Sequence, residues 1–379
     1  MYIPRSIESD VKKNLFQGKV IIIYGPRQAG KTTFVKNLVS QINIPFGYFN
    51  CDEADVRDQL NGGETSSQLK EIVGNNEVVI IDEAQRVENI GLKLKLLIDN
   101  FPNQQIIATG SSSFELADKI TEPLTGRNFQ FILSPFSVSE LFAVWDKTET
   151  ARQLENLILY GSYPAVVASA GIDQKNTQIK QLAGDNLYKD ILKFFSLKGS
   201  ETVRKLLEGL ALQVGQEVSY EELGNLAGID KKTAMSYVEI LEKAFIIFRL
   251  RPFSRNLRKE INKMHKIFFY DTGVRNALIN NFNSMSLRND CGQIWENFVI
   301  AERYKRQYWA GNSLNNYFWR TYDQQEIDLV EEKNGQLFAF EIKWSKERKF
   351  PPKIWQETYP NSQWQSINKD NFLDFATVI

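Results

Sequence analysis

The most chemically specific stretch of the chain is Gly25-Pro26-Arg27-Gln28-Ala29-Gly30-Lys31-Thr32. It lies between the apolar run Val20-Ile21-Ile22-Ile23 and the helix-like Thr33-Phe34-Val35-Lys36-Asn37-Leu38-Val39. In that context the glycines allow a tight turn whose backbone N–H groups face inward. The helix start adds partial positive charge, so phosphate oxygens are bound there. Residues Gly25 to Thr33 form the expected nucleotide cradle, with Lys31 reaching the β- and γ-phosphates and the Thr32 hydroxyl holding Mg²⁺. Phosphoryl chemistry also needs carboxylates, and Glu77-Val78-Val79-Ile80-Ile81 delivers Asp82-Glu83. Asp82 is expected to hold the metal through its water shell, and Glu83 to orient and deprotonate the attacking water. Paired acids after a strand also commonly open a helix; the phosphate loop is what gives this pair a catalytic assignment.

Two further positions join the set. Gln105-Ile106-Ile107-Ala108-Thr109 runs into Gly110-Ser111-Ser112-Ser113, so Thr109 or Ser111 is a candidate contact to the γ-phosphate or the lytic water. A serine-rich helix start is the alternative. Arg127, between Leu124-Thr125-Gly126 and the strand-like Phe129-Gln130-Phe131-Ile132-Leu133, is a candidate arginine finger, for its own site or for a neighbour's in a homo-oligomer. A surface arginine is the alternative.

Apolar runs at 20–23, 47–51, 77–81, 105–109 and 129–133 alternate with helix-like segments. That alternation over residues 1–145 predicts an α/β, doubly wound parallel-sheet domain carrying the P-loop, with its ligand at the carboxyl ends of the strands. Together with Ser134-Pro135-Phe136-Ser137-Val138-Ser139-Glu140, these motifs resemble a family of prokaryotic AAA-type ATPases fused to a C-terminal region. The resemblance runs along nearly the whole chain and implies ATP as the nucleotide. The residues alone leave GTP open, although no Asn-Lys-x-Asp guanine reader is present.

The 379 residues carry 46 Lys plus Arg against 46 Asp plus Glu, so any nucleic-acid surface is a local patch rather than a bulk field. Cys51 and Cys291 lack metal-ligand spacing, and His265 is the only histidine, which excludes a multi-histidine metal site. No apolar run approaches about 18 residues, so no membrane span is expected. Glu8 and Asp10 stand where a signal peptide is apolar. A cytoplasmic location follows as the expectation.

Residues 146–195 read as a helical lid or linker, broken at Tyr160-Gly161-Ser162-Tyr163-Pro164. Residues 196–285 read as a winged helix-turn-helix. Ser219 with Glu222 forms a capping box, Gly228 makes a turn, and a second helix from Asp230 presents Lys231, Lys232, Thr233 and Ser236 toward a major groove. Strands at 245–251 and 266–270 flank a basic wing with Arg255, Arg258, Lys259, Lys263 and Lys266. Duplex DNA bound through phosphates is the functional expectation; protein contact or a spacer role is the alternative.

Residues 286–379 read as a restriction-nuclease-like α/β domain. Asn334-Gly335 predicts a two-residue hairpin in which Lys333 opposes Gln336, Asp328 opposes Glu341 and Glu326 opposes Lys343, all on one face. Ile327, Leu329, Phe338, Phe340 and Ile342 then share the core face. Facing carboxylates repel, which suggests a cation between them, and oxygen ligands favour Mg²⁺ or Mn²⁺. Asp328, Glu341 and Lys343 resemble the core of restriction-type metal-dependent nucleases, with Glu296 as the added acid. A solvated face with a Glu326–Lys343 bridge is the alternative. Two readings of the whole chain compete: an ATPase coupled to a DNA-facing, metal-dependent nuclease, and a nucleotide-dependent regulator or scaffold whose carboxylates no longer cut.

Overall fold

Five of the apolar runs become strands of one parallel sheet: β1 Val20–Tyr24, β2 Phe46–Asn50, β3 Val78–Asp82, β4 Gln105–Gly110 and β5 Asn128–Ile132. Their order is β2-β3-β4-β1-β5, and every pairing is parallel. The inner strands β1, β3 and β4 are buried at every residue, whereas the edge strands β2 and β5 are only partly covered. A strand sandwiched on both faces has no solvent side, and that is why these runs are apolar without alternation. Helix α1, Lys31–Ile42, follows β1 through the phosphate-loop residues.

This computed structural model describes residues 2–111, 123–187, 200–254, 264–309, 314–345 and 348–377. Ser112, Ser113, Arg255, Arg258, Lys259 and Lys263 lie outside the described residues. The chain divides into two units, residues 1–135 with Lys243–Phe245, and residues 136–242 with 246–379.

In the second unit, the 146–195 segment holds helices Lys147–Tyr160, Pro164–Val167 and Ile172–Gln181, interrupted at the Gly-Ser-Tyr break. After it come α2 Ser200–Leu212, β6 Glu217–Val218, α3 Tyr220–Ala227 and α4 Lys231–Lys243. The Ser219 hydroxyl accepts the Glu222 N–H, Gly228 closes α3 at φ 72°, and Asp230 accepts the Lys232 and Thr233 N–H groups to start α4. Next are β7 Ile247–Pro252, β8 His265–Phe269, α5 Cys291–Trp309, β9 Asn315–Arg320, β10 Glu326–Lys333, β11 Gln336–Ile342, α6 Lys353–Thr358, β12 Gln363–Ile367 and α7 Phe372–Thr377. All seven strands join one mixed sheet in the order β12-β11-β10-β9-β7-β8-β6. The strands expected for a wing and those expected for the C-terminal hairpin therefore belong to one sheet, joined where Arg251 pairs with Tyr317.

The hairpin register is as expected, with Lys333 opposite Gln336 and Asn334 and Gly335 at φ 52° and 79°. The face assignment needs correction. Ile327 packs with Val330, Leu337, Ala339, Trp319, Phe253 and Trp355 rather than with Leu329 and Phe340. The cause is a bulge in β10 against β9 between Ile327 and Val330, which breaks the two-residue alternation. Phe340 packs instead on Phe375 of α7, with ring centroids 4.9 Å apart, so both faces of the hairpin are covered. Among the described residues no helix is long and apolar enough to cross a membrane, and both cysteines are free thiols.

Candidate functional site

The parallel sheet brings the carboxyl ends of β1, β3 and β4 side by side, and the loop residues gather there. Gly25 has φ 152°, and a Cβ at this position would run into the Leu133 carbonyl oxygen; Gly30 enters α1 at φ 93°. Pro26, Arg27, Gln28 and Ala29 make the turn between them, with Gln28 left-handed at φ 60°. Arg5 holds this turn from outside the motif, donating to the carbonyls of Ala29 at 2.9 Å and Ser134 at 2.5 Å. The Lys31 ammonium curls back over its own loop, donating to the Gly25 and Pro26 carbonyls at 2.9 and 3.0 Å. A glycine-rich turn, a helix start and this ammonium therefore stand together.

Asp82 is met by three hydroxyls. Thr32 and Tyr48 donate to its Oδ2 at 2.7 and 2.6 Å, and Thr109 donates to its Oδ1. Burial, and then the bond to Asp82, raise the Tyr48 phenol above its ordinary pKa. The Lys36 ammonium lies 3.9 Å from the centre of the Tyr48 ring. Glu83 adopts a left-handed conformation, φ 53° and ψ 44°, and its N–H donates to Thr109 Oγ1 at 3.2 Å. Its Oε2 accepts from Gln85 Nε2 at 2.5 Å, and the same amide donates to Ser111 Oγ at 3.0 Å. Gln85 thus links Glu83 to Ser111. Tyr48 and Gln85 had no role assigned from sequence. The available signals were the two-residue spacing of Gln85 from Glu83 and the position of Tyr48 on the strand paired with the one that ends in Asp82.

Arg127 is not brought to this site. Parallel pairing sets Asn128 beside Val20, while the loop follows Tyr24, which pairs with Ile132. Four residues of strand separate the two ends by about 13 Å. Arg127 instead pairs with Asp99 at 2.6 Å, half-exposed. The expectation of a finger acting on its own loop is corrected on this geometry.

In the second unit, Glu296 from α5, Asp328 from β10, and Glu341 and Lys343 at the end of β11 line one cleft of about 550 Å³. The four candidate nuclease residues are therefore brought together; Asp328 and Glu341 are buried and Glu296 is half-buried, rather than forming a solvated face. Lys343 Nζ lies 3.3 Å from Asp328 and 3.1 Å from Glu341; the Ile342 N–H also donates to Asp328, at 2.7 Å. The expected Glu326–Lys343 pair is not made. The β10–β9 register turns Glu326 to Arg320, 3.7 Å away, and it is also bonded by Lys266 from β8. Lys266, expected on a basic wing, is buried at the floor of the cleft with its Nζ 3.0 Å from Glu296.

Burial pushes the Glu296 carboxyl well above the usual carboxylate range, with Lys266 pulling it back. Glu341 is raised by burial and then by Asp328. Burial alone would lower Lys266, but the Glu296 and Glu326 charges outweigh it and the ammonium is held above its ordinary value. Glu341 Oε1 is 3.2 Å from Arg348, while its Oε2 is buried without a hydrogen-bond partner among the described residues. On α4, Lys231, Lys232 and Ser236 are exposed, and the Thr233 hydroxyl is committed to Asp230 at 2.6 Å.

Comparison with known proteins agrees with the first unit. Residues 17–142 match the model of an AAA domain. Residues 151–285 and 291–357 match two models, each described as a domain of unknown function. An uncharacterized protein of Mycobacterium tuberculosis is 27% identical over 89% of this chain and 73% of its own length. One of Methanocaldococcus jannaschii is 25% identical over 86% and 74%. Among solved structures, the Walker-type ATPase of Pyrococcus abyssi is similar, with a TM-score of 0.50 and 14% identity over 73% of this chain and 96% of that one. Residues 17–142 have the fold of a P-loop ATPase domain, a fold that binds nucleotide, typically with Mg²⁺.

Proposed function

We propose that the chain is an ATPase whose nucleotide state is coupled to a DNA-facing C-terminal half. The observation that carries the first part is the convergence of Lys31, Thr32, Asp82 and Glu83 at one end of the parallel sheet, with Thr32 already hydrogen-bonded to Asp82. Residues Gly25 to Thr33 cradle the triphosphate, and Lys31 releases its loop carbonyls to meet the β- and γ-oxygens. Thr32 and Asp82 would hold Mg²⁺, whose chemistry there is to neutralise charge on the phosphates. Glu83 orients the water and accepts its proton, with Gln85 and Ser111 fixing the carboxylate.

For the C-terminal half, the helix pair α3–α4 with strands β6, β7 and β8 supports a winged helix that offers Lys231 and Lys232 to DNA phosphates. Glu296, Asp328 and Glu341 are hard oxygen donors suited to Mg²⁺ or Mn²⁺, and the buried Oε2 of Glu341, without a donor among the described residues, fits an incoming cation. Such an ion would polarise a phosphodiester; Lys343 would orient the phosphate. A nucleotide-dependent switch that does not cut is the second reading. It draws on the basic groups that already neutralise these acids.

The test is ATP turnover in Mg²⁺ with and without duplex or single-stranded DNA, followed by inspection of the DNA for breaks. Lys31→Ala abolishes turnover, and Glu83→Gln slows it by about a hundredfold or more with binding retained. Breaks that depend on Asp328 support the nuclease; intact DNA beside DNA-stimulated turnover supports the switch. Turnover that survives Lys31→Ala refutes the ATPase reading.

A further inference from the structure

Of the basic side chains lining the carboxylate cleft, Lys343 and Arg348 remain 46% and 42% exposed, whereas Lys266 is 3% exposed. Its backbone is fixed on both sides, paired with Leu250 of β7 and Glu217 of β6. The buried ammonium touches Glu296 and Glu326 together. Glu296, Glu326 and Asp328 each bring a carboxylate oxygen within 4.8 Å of the others. Oxygens bound to one divalent ion at roughly 2.0–2.6 Å can lie at most about 5 Å apart, so this spacing is one that a single ion spans. The Lys266 ammonium, with three protons, already meets two of these three acids, Glu296 and Glu326. A second feature points to a ligand from the other side of the cleft: the buried Oε2 of Glu341 accepts from no donor among the described residues.

We propose that Glu326 joins Glu296 and Asp328 as the ligands of one divalent cation, and that the Lys266 ammonium is the resident counter-ion of that site until the ion displaces it. The proposal deepens the metal-site reading given above and rests on it. Its physical basis is charge: three acids with oxygens within 4.8 Å of one another repel, so a site that loads and releases an ion needs a substitute cation for its empty periods. A flexible lysine stem can supply and withdraw one without moving the sheet. Metal affinity is then set by exchange, reduced by the fraction of molecules in which Lys266 occupies the position.

The experiment titrates the full chain with Mn²⁺ alone, without nucleotide or DNA, by calorimetry and by the Mn²⁺ spin-resonance signal. Lys266→Met should tighten Mn²⁺ by about tenfold or more, whereas Lys266→Arg should not. Asp328→Asn should remove the site in either background. Acetylation of the wild-type chain, read by mass spectrometry, reports directly on position: Lys266 is protected without metal and labelled several-fold faster with Mn²⁺. The proposal is overturned if folded Lys266→Met binds Mn²⁺ no more tightly than wild type, or if Mn²⁺ leaves Lys266 equally protected. The acetylation result decides alone should the methionine variant not fold. Equal Mn²⁺ binding by both chains that is lost in Asp328→Asn keeps the metal site and rejects the counter-ion. No binding to any variant rejects both.

Discussion

Asp82 and the Asp328 cleft confront the same difficulty, a carboxylate buried in protein, and resolve it with different chemistry. Around Asp82 the donors are neutral hydroxyls from Thr32, Tyr48 and Thr109, which satisfy hydrogen bonding without cancelling its charge. Around Asp328, Glu296, Glu326 and Glu341 the partners are Lys266, Lys343, Arg320 and Arg348, which cancel it. A carboxylate satisfied by dipoles still attracts a cation. One neutralised by ammonium must first give that ammonium up. The first arrangement suits a metal that arrives with each nucleotide; the second suits a site held closed.

The largest effect that separates the two should be in pH. The Glu296 carboxyl is raised from 4.5 to about 8 by burial, so the folded state holds a proton that the unfolded chain releases. Its stabilisation is complete below about pH 4.5 and is lost as pH rises through about 8. In chelator, the melting temperature should fall across that window, and Glu296→Gln should flatten the fall by roughly 5 °C or more. An unchanged slope in the variant removes the cleft from the comparison. A smaller effect is expected at Asp82: Tyr48→Phe deletes one of three neutral donors and should cost about 1–3 kcal/mol by denaturant titration, with hydrolysis slowed rather than abolished. The smallest belongs to Arg127→Ala, which breaks one half-exposed pair with Asp99 worth about 0.2–1 kcal/mol and leaves the turnover of an isolated chain unchanged.

The first unit was largely legible because its information is local. Its inner strands are largely apolar runs, β3 ends in Asp82, and the loop and Glu83 follow their strands directly. Arg127 misled as a finger for its own loop because that role was inferred without the parallel register, which shows that it precedes β5 at the far end of the sheet. The second unit hid more. Asn334-Gly335 gave the turn and the register, but nothing near Ile327 announces a bulge, so strict alternation put Ile327 on the face of Leu329 and Phe340 and paired Glu326 with Lys343. Lys266 read as one more base in a basic stretch; its burial follows from β8 lying between β7 and β6 and from α5 supplying Glu296, whose contact spans 30 residues.

The two sheets also differ in when they can be completed as the chain leaves the ribosome. The five parallel strands are all present once Ile132 has emerged, so that unit can close early from neighbouring segments. The seven-stranded sheet begins at Glu217 and cannot add its last edge until Ile367 has been made. Until then β11 offers an open edge, and its apolar Leu337-Phe338-Ala339-Phe340 stretch is a hazard for association between nascent chains. Truncations that remove β12 should therefore be judged first by their solubility.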